Sequence, residues 1–360
     1  MTDLILIAPA AFKGTFGPRQ VAEALSAGAR RALPGVSVLQ CPISDGGDGL
    51  LDAVLPAGSL REHLTVTGPL GDPVSGELGW IDPETAILES ATACGMRLLR
   101  PDQLDPLRAT TRGVGELVWE AAERGAQTVV VGLGGSATVD GGTGAGRGLG
   151  WTFLDATGAS LPEGGGSLAQ LATLEGGWGL TARVVALADV TTPLVGSQGA
   201  APVFGPQKGA GPEGVKLLSR GLERLAQVMA RHGRADLGEV PGGGAAGGLG
   251  AGLAFFAKAQ LEPGAEWVLS RVGFDAALAK AQLVITGEGS FDRTSLVGKA
   301  SGEVVRRAQA ARKRVAVVAG KVEGLVGLHT LDGEGKTLDV AGISSLGERV
   351  VRQAFGLPGA

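Results

Sequence analysis

Apolar runs of strand length alternate with helical patterns near the N-terminus. The run LILIA (4–8) precedes the segment 19–33, whose apolar residues recur three or four positions apart, and VSVLQ (36–40) comes next. Recurrence at three or four positions is typical of an amphipathic helix, whereas a short unbroken apolar run indicates a buried strand. The resulting β-α-β order predicts parallel strands joined by right-handed crossovers.

The same order of elements returns near the C-terminus. QLVITG (282–287), the helical pattern at 302–312 and RVAVVAG (314–320) repeat the opening arrangement. Because two separated stretches share one pattern, we predict that residues 1–60 and 272–360 together form one discontinuous α/β domain with a parallel sheet.

The middle of the chain has a different pattern. Three strand-like runs at 64–67, 74–80 and 85–90 are separated only by short turns rich in Pro, Asp and Gly. Such close spacing predicts an antiparallel meander. Further buried strands follow, so we predict that residues 61–271 form a second, mixed-sheet α/β domain inserted into the first. A chain of 360 residues fits two domains, because single cores stop growing near ~250–300 residues.

Composition excludes several classes of protein. Lys and Arg total 32 against 36 Asp and Glu, and the net charge of −4 leaves no basic excess for nucleic acid. No unbroken apolar run reaches the ~18 residues of a membrane-spanning helix, and the first residues lack the basic start of a signal peptide. The two cysteines, Cys41 and Cys94, suit a reducing compartment. We therefore predict a cytoplasmic protein with neither nucleic-acid nor membrane partners.

Glycine is unusually frequent, at 63 of 360 residues against a usual ~7%. It concentrates in loops that follow predicted strands, and four of these loops also carry a carboxylate: SDGGDG (44–49), GLGGSATVDGG (132–142), ADVTTPL (188–194) and GEGSFD (287–292). Glycine lets backbone N–H groups approach an anion, and loops beyond the carboxyl ends of parallel strands line ligand crevices. The sequence thus predicts phosphate-binding loops. The alternative is that each Asp-Gly pair simply forms a turn.

Carboxylates beside a phosphate-binding loop need a second partner, because alone they would repel a polyphosphate. Mg²⁺ is typically held by one or two carboxylates together with substrate phosphates. A remaining carboxylate can accept a hydroxyl proton during phosphoryl transfer. Lysines such as Lys13 and Lys208 can neutralise transition-state charge, although an isolated lysine is more often simply solvated. The four carboxylates are Asp45, Asp140, Asp189 and Glu288.

Two familiar nucleotide-binding motifs give little support for other functions. The Walker A pattern is absent, and the G-x-G-x-x-G at Gly242, Gly244 and Gly247 follows Pro241 instead of a strand. An oxidoreductase that uses a nucleotide cofactor is therefore a rival function with weak sequence support. The glycine-rich segment 241–252 either allows backbones to pack closely or acts as a hinge.

These loops, in this order, resemble the type I glycerate kinases, the glycerate 2-kinase family. The matching stretches are AFKGT, DGGDG, GLGGSATVDGG, DVTTPL, FGPQKGA, PGGGAAGGLGAGL and GEGSFD followed by GK. The resemblance implies an enzyme that phosphorylates D-glycerate to 2-phosphoglycerate with ATP and Mg²⁺. It also implies two α/β domains, one flavodoxin-like and split in sequence and the other inserted, with the active site in the cleft between them. A monomer and a homodimer both remain open.

Candidate site residues are drawn from the matching stretches. Asp189 is the candidate general base, and Lys13 and Asp45 are the other candidate catalytic residues. Asp45 and Glu288 are the candidate Mg²⁺ ligands, and Lys208 is the candidate for binding substrate. The candidates for nucleotide and phosphate binding are Gly134, Gly135, Ser136, Thr138, Asp140, Gly287 and Gly289.

Five positions depart from the family's usual sequence. Ala10 and Ala11 stand where the family's first loop, P-D-S-[FY]-K, has an acid and a serine, and Ser290 stands where G-E-G-R has an arginine. Val139 and Thr192 replace two asparagines. A lost ion pair would explain the changes at Ala10 and Ser290 together. Lost ligand contacts are the alternative, and they keep a non-catalytic hydroxy-acid sensor as the second rival function.

Overall fold

The computed structural model describes residues 4–12, 14–296, 298–323, 329–333 and 338–358. It divides into two compact units, of which the first comprises Met1–Ala57 and Pro263–Ala360 and the second Gly58–Glu262. The strands are β1 Leu4–Pro9, β2 Ser37–Gln40, β3 Arg61–Thr67, β4 Pro73–Asp82, β5 Thr85–Glu89, β6 Thr128–Gly132, β7 Trp151–Leu154, β8 Thr173–Gly176, β9 Arg183–Leu187, β10 Gln260–Glu262, β11 Leu283–Phe291, β12 Arg314–Val322 and β13 His329–Asp332.

Helices connect most of these strands. The α-helices are α1 Pro18–Ala32, α2 Leu50–Val54, α3 Ala91–Cys94, α4 Arg112–Glu123, α5 Thr143–Gly148, α6 Ala200–Phe204, α7 Pro212–Arg231, α8 Ala245–Phe256, α9 Gly264–Arg271, α10 Phe274–Lys280, α11 Ala300–Ala310 and α12 Val340–Phe355. Short 3₁₀ helices lie at Met96–Leu98, Pro101–Gln103, Gly165–Gln170, Pro206–Lys208, Ala235–Gly238 and Arg293–Leu296. No helix of the described ranges combines the length and the apolar character needed to cross a membrane.

The first unit is built on a five-stranded parallel sheet. Its strand order is β13-β12-β11-β1-β2, which is the flavodoxin-like order 2-1-3-4-5 when the strands of this unit are counted along the chain. Ile5 and Ile7 of β1 pack on the side of α1 and α12, whereas Leu6 and Ala8 pack on the side of α9, α10 and α11. Burial on both faces explains why β1 is a continuous apolar run.

The second unit contains a six-stranded mixed sheet with the order β10-β9-β6-β5-β4-β3. The first three of its strands, β3 to β5, form an antiparallel meander, and β5, β6, β9 and β10 run parallel. The predicted fold class is therefore confirmed: a split, flavodoxin-like parallel sheet and an inserted α/β unit with a mixed sheet.

Parallel pairing in the second unit brings three strand ends to one edge of the sheet. Glu89 at the end of β5 pairs with Gly132 at the end of β6, and Gly132 pairs with Leu187 at the end of β9. Ser90 donates its N–H to the Gly132 carbonyl at 3.0 Å, and Leu133 donates its N–H to the Leu187 carbonyl at 3.0 Å. The loops after these strands therefore begin side by side.

One predicted loop is a strand in the structure. The segment 287–292 was expected to be a glycine-rich loop, but β11 continues to Phe291. The prediction was wrong because β12 is long enough to pair with this extension, with Ser290 opposite Lys321 and Phe291 opposite Val322.

Candidate functional site

Residues 133–142, here called the GGS loop, follow β6 and are attached to α3 through the backbone. The N–H of Met96 donates to the Gly135 carbonyl at 2.8 Å, and the N–H of Ala137 donates to the Cys94 carbonyl at 2.8 Å. Gly135 has a φ of 63°, in the left-handed region that glycine adopts without strain. The chain therefore turns sharply here while its two flanks are held.

Two backbone donors of the GGS loop lie where the loop is accessible to solvent. Gly134 is half-buried and Gly135 is exposed. Neither of their N–H groups donates a hydrogen bond to another residue of the described chain. Adjacent backbone N–H groups in a turn form an anion-binding concavity, so this part of the loop is suited to phosphate oxygens.

Lys208 is buried against the GGS loop. Its Nζ donates to Ser136 Oγ at 2.8 Å and to the Thr138 carbonyl at 2.7 Å, and the residue is only 3% exposed. Burial lowers the pKa of the Lys208 ammonium to about 8, against the opposing attraction of the Asp140 carboxylate. Lys208, which was predicted to bind substrate, thus forms hydrogen bonds with two atoms of the protein itself.

Asp140 is completely buried and accepts four hydrogen bonds. Its Oδ2 accepts from the Thr111 N–H at 2.9 Å, the Thr111 hydroxyl at 2.8 Å and the Gly144 N–H at 3.1 Å, and its Oδ1 accepts from the Gly142 N–H at 3.0 Å. Burial raises the pKa of the carboxyl, against the lowering effect of these hydrogen bonds. Asp140 thus joins the end of the GGS loop to the start of α4 and supports the loop from inside.

The glycine-rich start of α8 packs directly against the same loop. Ala246, Gly247 and Gly248 all have positive φ, at 51°, 72° and 94°. A Cβ on Gly247 would lie 1.9 Å from the Thr138 carbonyl oxygen, and the N–H of Gly141 donates to the Gly247 carbonyl at 3.1 Å. Of the two sequence-based interpretations of 241–252, these contacts favour close backbone packing.

Cys94, at the end of α3, is fully buried beside the GGS loop. Burial and, to a smaller extent, the nearby Asp140 carboxylate raise the pKa of its thiol to about 12, against the lowering effects of Lys208 and of the hydrogen bond with Thr138. The thiol therefore stays protonated at neutral pH, and Cys94 takes part through its carbonyl oxygen and its packing.

Asp189 lies just beyond β9, in the loop that starts beside the GGS loop, and it is half-buried. This loop is held at both ends. The N–H of Ala188 donates to the Glu262 carbonyl at 3.0 Å, and the N–H of Gly244 donates to the Thr192 carbonyl at 2.9 Å. The position of Asp189 at the common strand edge suits a residue that meets a ligand.

The remaining predicted carboxylates lie in the first unit. Asp45 follows β2 and is half-buried, and its Oδ1 accepts from the Gly47 N–H at 3.1 Å. Glu288 lies in β11 and is 8% exposed. Its Oε1 accepts from Ser301 Oγ at 2.5 Å, and its Oε2 is 3.3 Å from Lys299 Nζ. The described residues contain no cluster of three His, Cys, Asp or Glu side chains arranged to hold a metal ion.

The other predicted positions in this unit have different environments. Gly287 lies inside β11, where a Cβ would approach the Val318 carbonyl oxygen to 1.9 Å, so strand pairing itself requires glycine. Gly289 is half-buried two residues further along the same strand. Lys13 lies outside the described residues.

The structure therefore brings together, within the second unit, six of the predicted residues around one strand edge, and Asp189 follows the neighbouring strand. The six are Gly134, Gly135, Ser136, Thr138, Asp140 and Lys208. Sequence reasoning missed Thr111, whose two donors hold Asp140, and the left-handed turn at 246–248. Only the unusual density of glycine at 241–252 hinted at the second of these.

Comparison with known proteins agrees with this geometry. The sequence model of the glycerate kinase family matches residues 5–341. The chain is 40% identical over 338 residues to Glycerate 2-kinase of Escherichia coli (strain K12), covering 91% of this chain and 88% of that protein. It is 38% identical over 325 residues to Glycerate kinase of Bacillus subtilis (strain 168), covering 88% and 85%.

A solved structure extends the similarity to the fold. The crystal structure of a candidate glycerate kinase 2 from Salmonella typhimurium LT2 superposes with a TM-score of 0.84, at 35% identity and over 99% of both chains. From the family match, the identities and this structural similarity we conclude that the chain belongs to the glycerate kinase family and is a kinase.

Proposed function

We propose that this chain transfers the γ-phosphoryl group of ATP to the 2-hydroxyl of D-glycerate, giving 2-phosphoglycerate and ADP. Membership of the glycerate kinase family supports phosphorylation of glycerate. The choice of the 2-hydroxyl is supported by 40% identity to a protein named Glycerate 2-kinase. The oxidoreductase and sensor alternatives receive no support from the family.

The GGS loop is the observation that carries the proposal. Gly134 and Gly135, whose N–H groups make no hydrogen bond within the described chain, follow shortly after a parallel strand, and contacts with α3, Lys208 and α8 hold the loop. Phosphoryl transfer depends mainly on positioning and on stabilising charge, so a rigid set of backbone donors is the main contribution that the protein has to make. We assign these donors, with Ser136 beside them, to the ATP phosphates.

We assign Asp189 as the general base. A carboxylate that accepts the proton of the attacking hydroxyl must lie close to the phosphate site, and Asp189 follows the strand next to the one that leads into the GGS loop. Its half-buried setting leaves part of the residue accessible to a small hydroxy acid.

We assign Asp45 and Glu288 to Mg²⁺. When bound, the ion would neutralise charge on the phosphates of the nucleotide. Two carboxylates suffice for Mg²⁺ when phosphates supply further oxygens, and β2 and β11 both lie beside β1 in one parallel sheet. Glu288 is paired with Lys299, so we expect the ion and this ammonium to compete for the carboxylate. Lys13 stays a prediction as a further phosphate contact.

We also place the protein in the cytoplasm, where its two buried free cysteines would stay reduced. Its substrates in this proposal are the small molecules D-glycerate and ATP.

A coupled assay of ADP release tests the function. The purified chain is incubated with ATP and D-glycerate, with Mg²⁺ or with EDTA, and with L-glycerate as the stereochemical control. We expect ADP release that requires both D-glycerate and Mg²⁺. Absence of glycerate-dependent ADP release from folded protein would refute the proposal.

The role of Asp189 is tested by Asp189→Asn. We expect turnover to fall by at least about 100-fold, since general-base catalysis typically contributes 10²–10⁴-fold. Asp102→Asn is the matched control, because the Asp102 side chain is 70% exposed and its ion pair among the described residues is with Arg100, two positions away. Near-normal turnover of Asp189→Asn would remove Asp189 from the mechanism.

A further inference from the structure

We infer that Lys208 is a positioning residue, which fixes the shape of the GGS loop and thereby the direction of its phosphate-binding N–H groups. This inference rests on the proposed function, because it assumes that the loop binds the nucleotide phosphates. It replaces the expectation that Lys208 touches a substrate.

The contacts of Lys208 fall on the part of the loop next to the free donors. Its ammonium joins Ser136 Oγ to the Thr138 carbonyl at 2.8 and 2.7 Å, and so spans Ala137. The N–H of Ala137 is held in turn by the Cys94 carbonyl. Three consecutive residues are therefore fixed immediately after Gly134 and Gly135, whose N–H groups make no hydrogen bond within the described chain.

Burial argues against direct contact between Lys208 and a ligand. The residue is 3% exposed, and its ammonium lies 5.8 Å from the centre of the Phe204 ring. To reach a phosphate, the ammonium would have to leave two charge-assisted hydrogen bonds. Breaking such bonds in a buried site is costly, because hydrogen bonds to a charged group are stronger than those between neutral groups.

The charged groups around Lys208 also argue for a positioning role. The ionisable groups that interact with it are Cys94 and Asp140. Cys94 is a neutral thiol, and the Asp140 carboxylate is already saturated by four hydrogen bonds from Thr111, Gly142 and Gly144. The Asp140 carboxylate therefore attracts the ammonium without bonding to it, and the hydroxyl of Ser136 and the carbonyl of Thr138 are the hydrogen-bond partners.

Lys208→Met is the direct test, because methionine fills a similar volume without donating hydrogen bonds. Lys216→Met is the matched control: this lysine lies on α7 in the same unit, and its side chain is 69% exposed. Hydrogen–deuterium exchange of the ligand-free protein reports the order of residues 133–139. We expect exchange of the hydrogen-bonded amides that hold the loop, those of Met96 and Ala137, to accelerate at least about tenfold in Lys208→Met and to be unchanged in Lys216→Met.

Kinetics supply a readout that a purely structural lysine would not change. We expect Lys208→Met to raise the KM for ATP about tenfold while the KM for D-glycerate changes less than twofold. Unchanged exchange together with a raised KM for ATP would mean that Lys208 touches the nucleotide directly, and would overturn the inference. Unchanged exchange and unchanged kinetics would overturn it as well.

Ser136→Ala covers the case in which Lys208→Met does not fold. This variant keeps Lys208 and its hydrogen bond to Thr138 but removes the other acceptor. We expect a smaller acceleration of exchange in the same amides, and no acceleration would again contradict the inference. Because the exchange experiment needs neither ATP nor glycerate, its outcome is independent of whether the chain phosphorylates glycerate.

Discussion

Replacement of Asp140 is the sharpest test of how the GGS loop is held. In Asp140→Asn one carboxylate oxygen becomes an NH₂ group, which cannot accept a hydrogen bond. If the amide oxygen keeps the three donors from Thr111 and Gly144, the NH₂ group faces the Gly142 N–H, which now lies 3.0 Å from a second donor. A buried donor left unsatisfied costs about 1–3 kcal/mol, so we expect a loss of about 2 kcal/mol in the free energy of unfolding.

Asp140→Ala should be more severe. It leaves the N–H groups of Thr111, Gly142 and Gly144 without their acceptor, and we expect a loss of about 4 kcal/mol or more. The predicted order of destabilisation is Asp140→Ala, then Asp140→Asn, then the surface control Asp102→Asn with no measurable change.

Tryptophan fluorescence during urea denaturation measures these differences. Four of the five tryptophans, Trp80, Trp119, Trp151 and Trp178, lie in the second unit with Asp140, so the signal reports mainly on that unit. A stability of Asp140→Asn within 0.5 kcal/mol of the wild type (about the scatter of surface substitutions) would refute the claim that the carboxylate organises the loop.

Three further predictions address the neighbouring groups. The folded-state pKa of Lys208 is lowered to about 8 from the ordinary 10.5, so between these pH values the unfolded chain binds more protons than the folded chain. The free energy of unfolding of the wild type should therefore rise with pH in this window, by about 3 kcal/mol relative to Lys208→Met. Urea denaturation at several pH values measures this difference. Gly247→Ala should raise the KM for ATP and destabilise the second unit in thermal melts, because its Cβ would meet a carbonyl oxygen at 1.9 Å, whereas Gly233→Ala, with open space around it, should cost only about 1 kcal/mol for its positive φ. Lys299→Met should lower the Mg²⁺ concentration for half-maximal activity by freeing Glu288, and an unchanged Mg²⁺ dependence would argue against Glu288 as a ligand.

The sequence was most informative where structure is local. The period of apolar residues located α1 and β1, and the short turns between 64 and 90 correctly predicted the antiparallel meander of β3, β4 and β5. These features depend on neighbours within a few residues. The extension of β11 to Phe291 was missed because it depends on pairing with β12, about 30 residues later in the chain.

The candidate site shows the same limit. Glycine and acid together in 132–142 marked the correct loop, because both residue types follow from the chemistry of phosphate binding. Residue type did not reveal that Lys208 and Asp140 are buried, however, since their environments are made by Ser136, 72 residues from the lysine, and by Thr111, 29 residues from the aspartate. The sequence therefore predicted the position of the loop, whereas the contacts of Lys208 and Asp140 that hold the loop are seen only in the structure.

Regiochemistry of the product tests the central claim most directly. After incubation of the purified chain with ATP, Mg²⁺ and D-glycerate, proton-coupled ³¹P NMR distinguishes a phosphate ester on the secondary carbon from one on the primary carbon. The account predicts one new ester resonance split by a single proton, which identifies 2-phosphoglycerate, together with ADP. A resonance split by two protons would identify the 3-phosphate and contradict the assigned position of transfer, and no new ester from folded protein would contradict the proposed reaction itself.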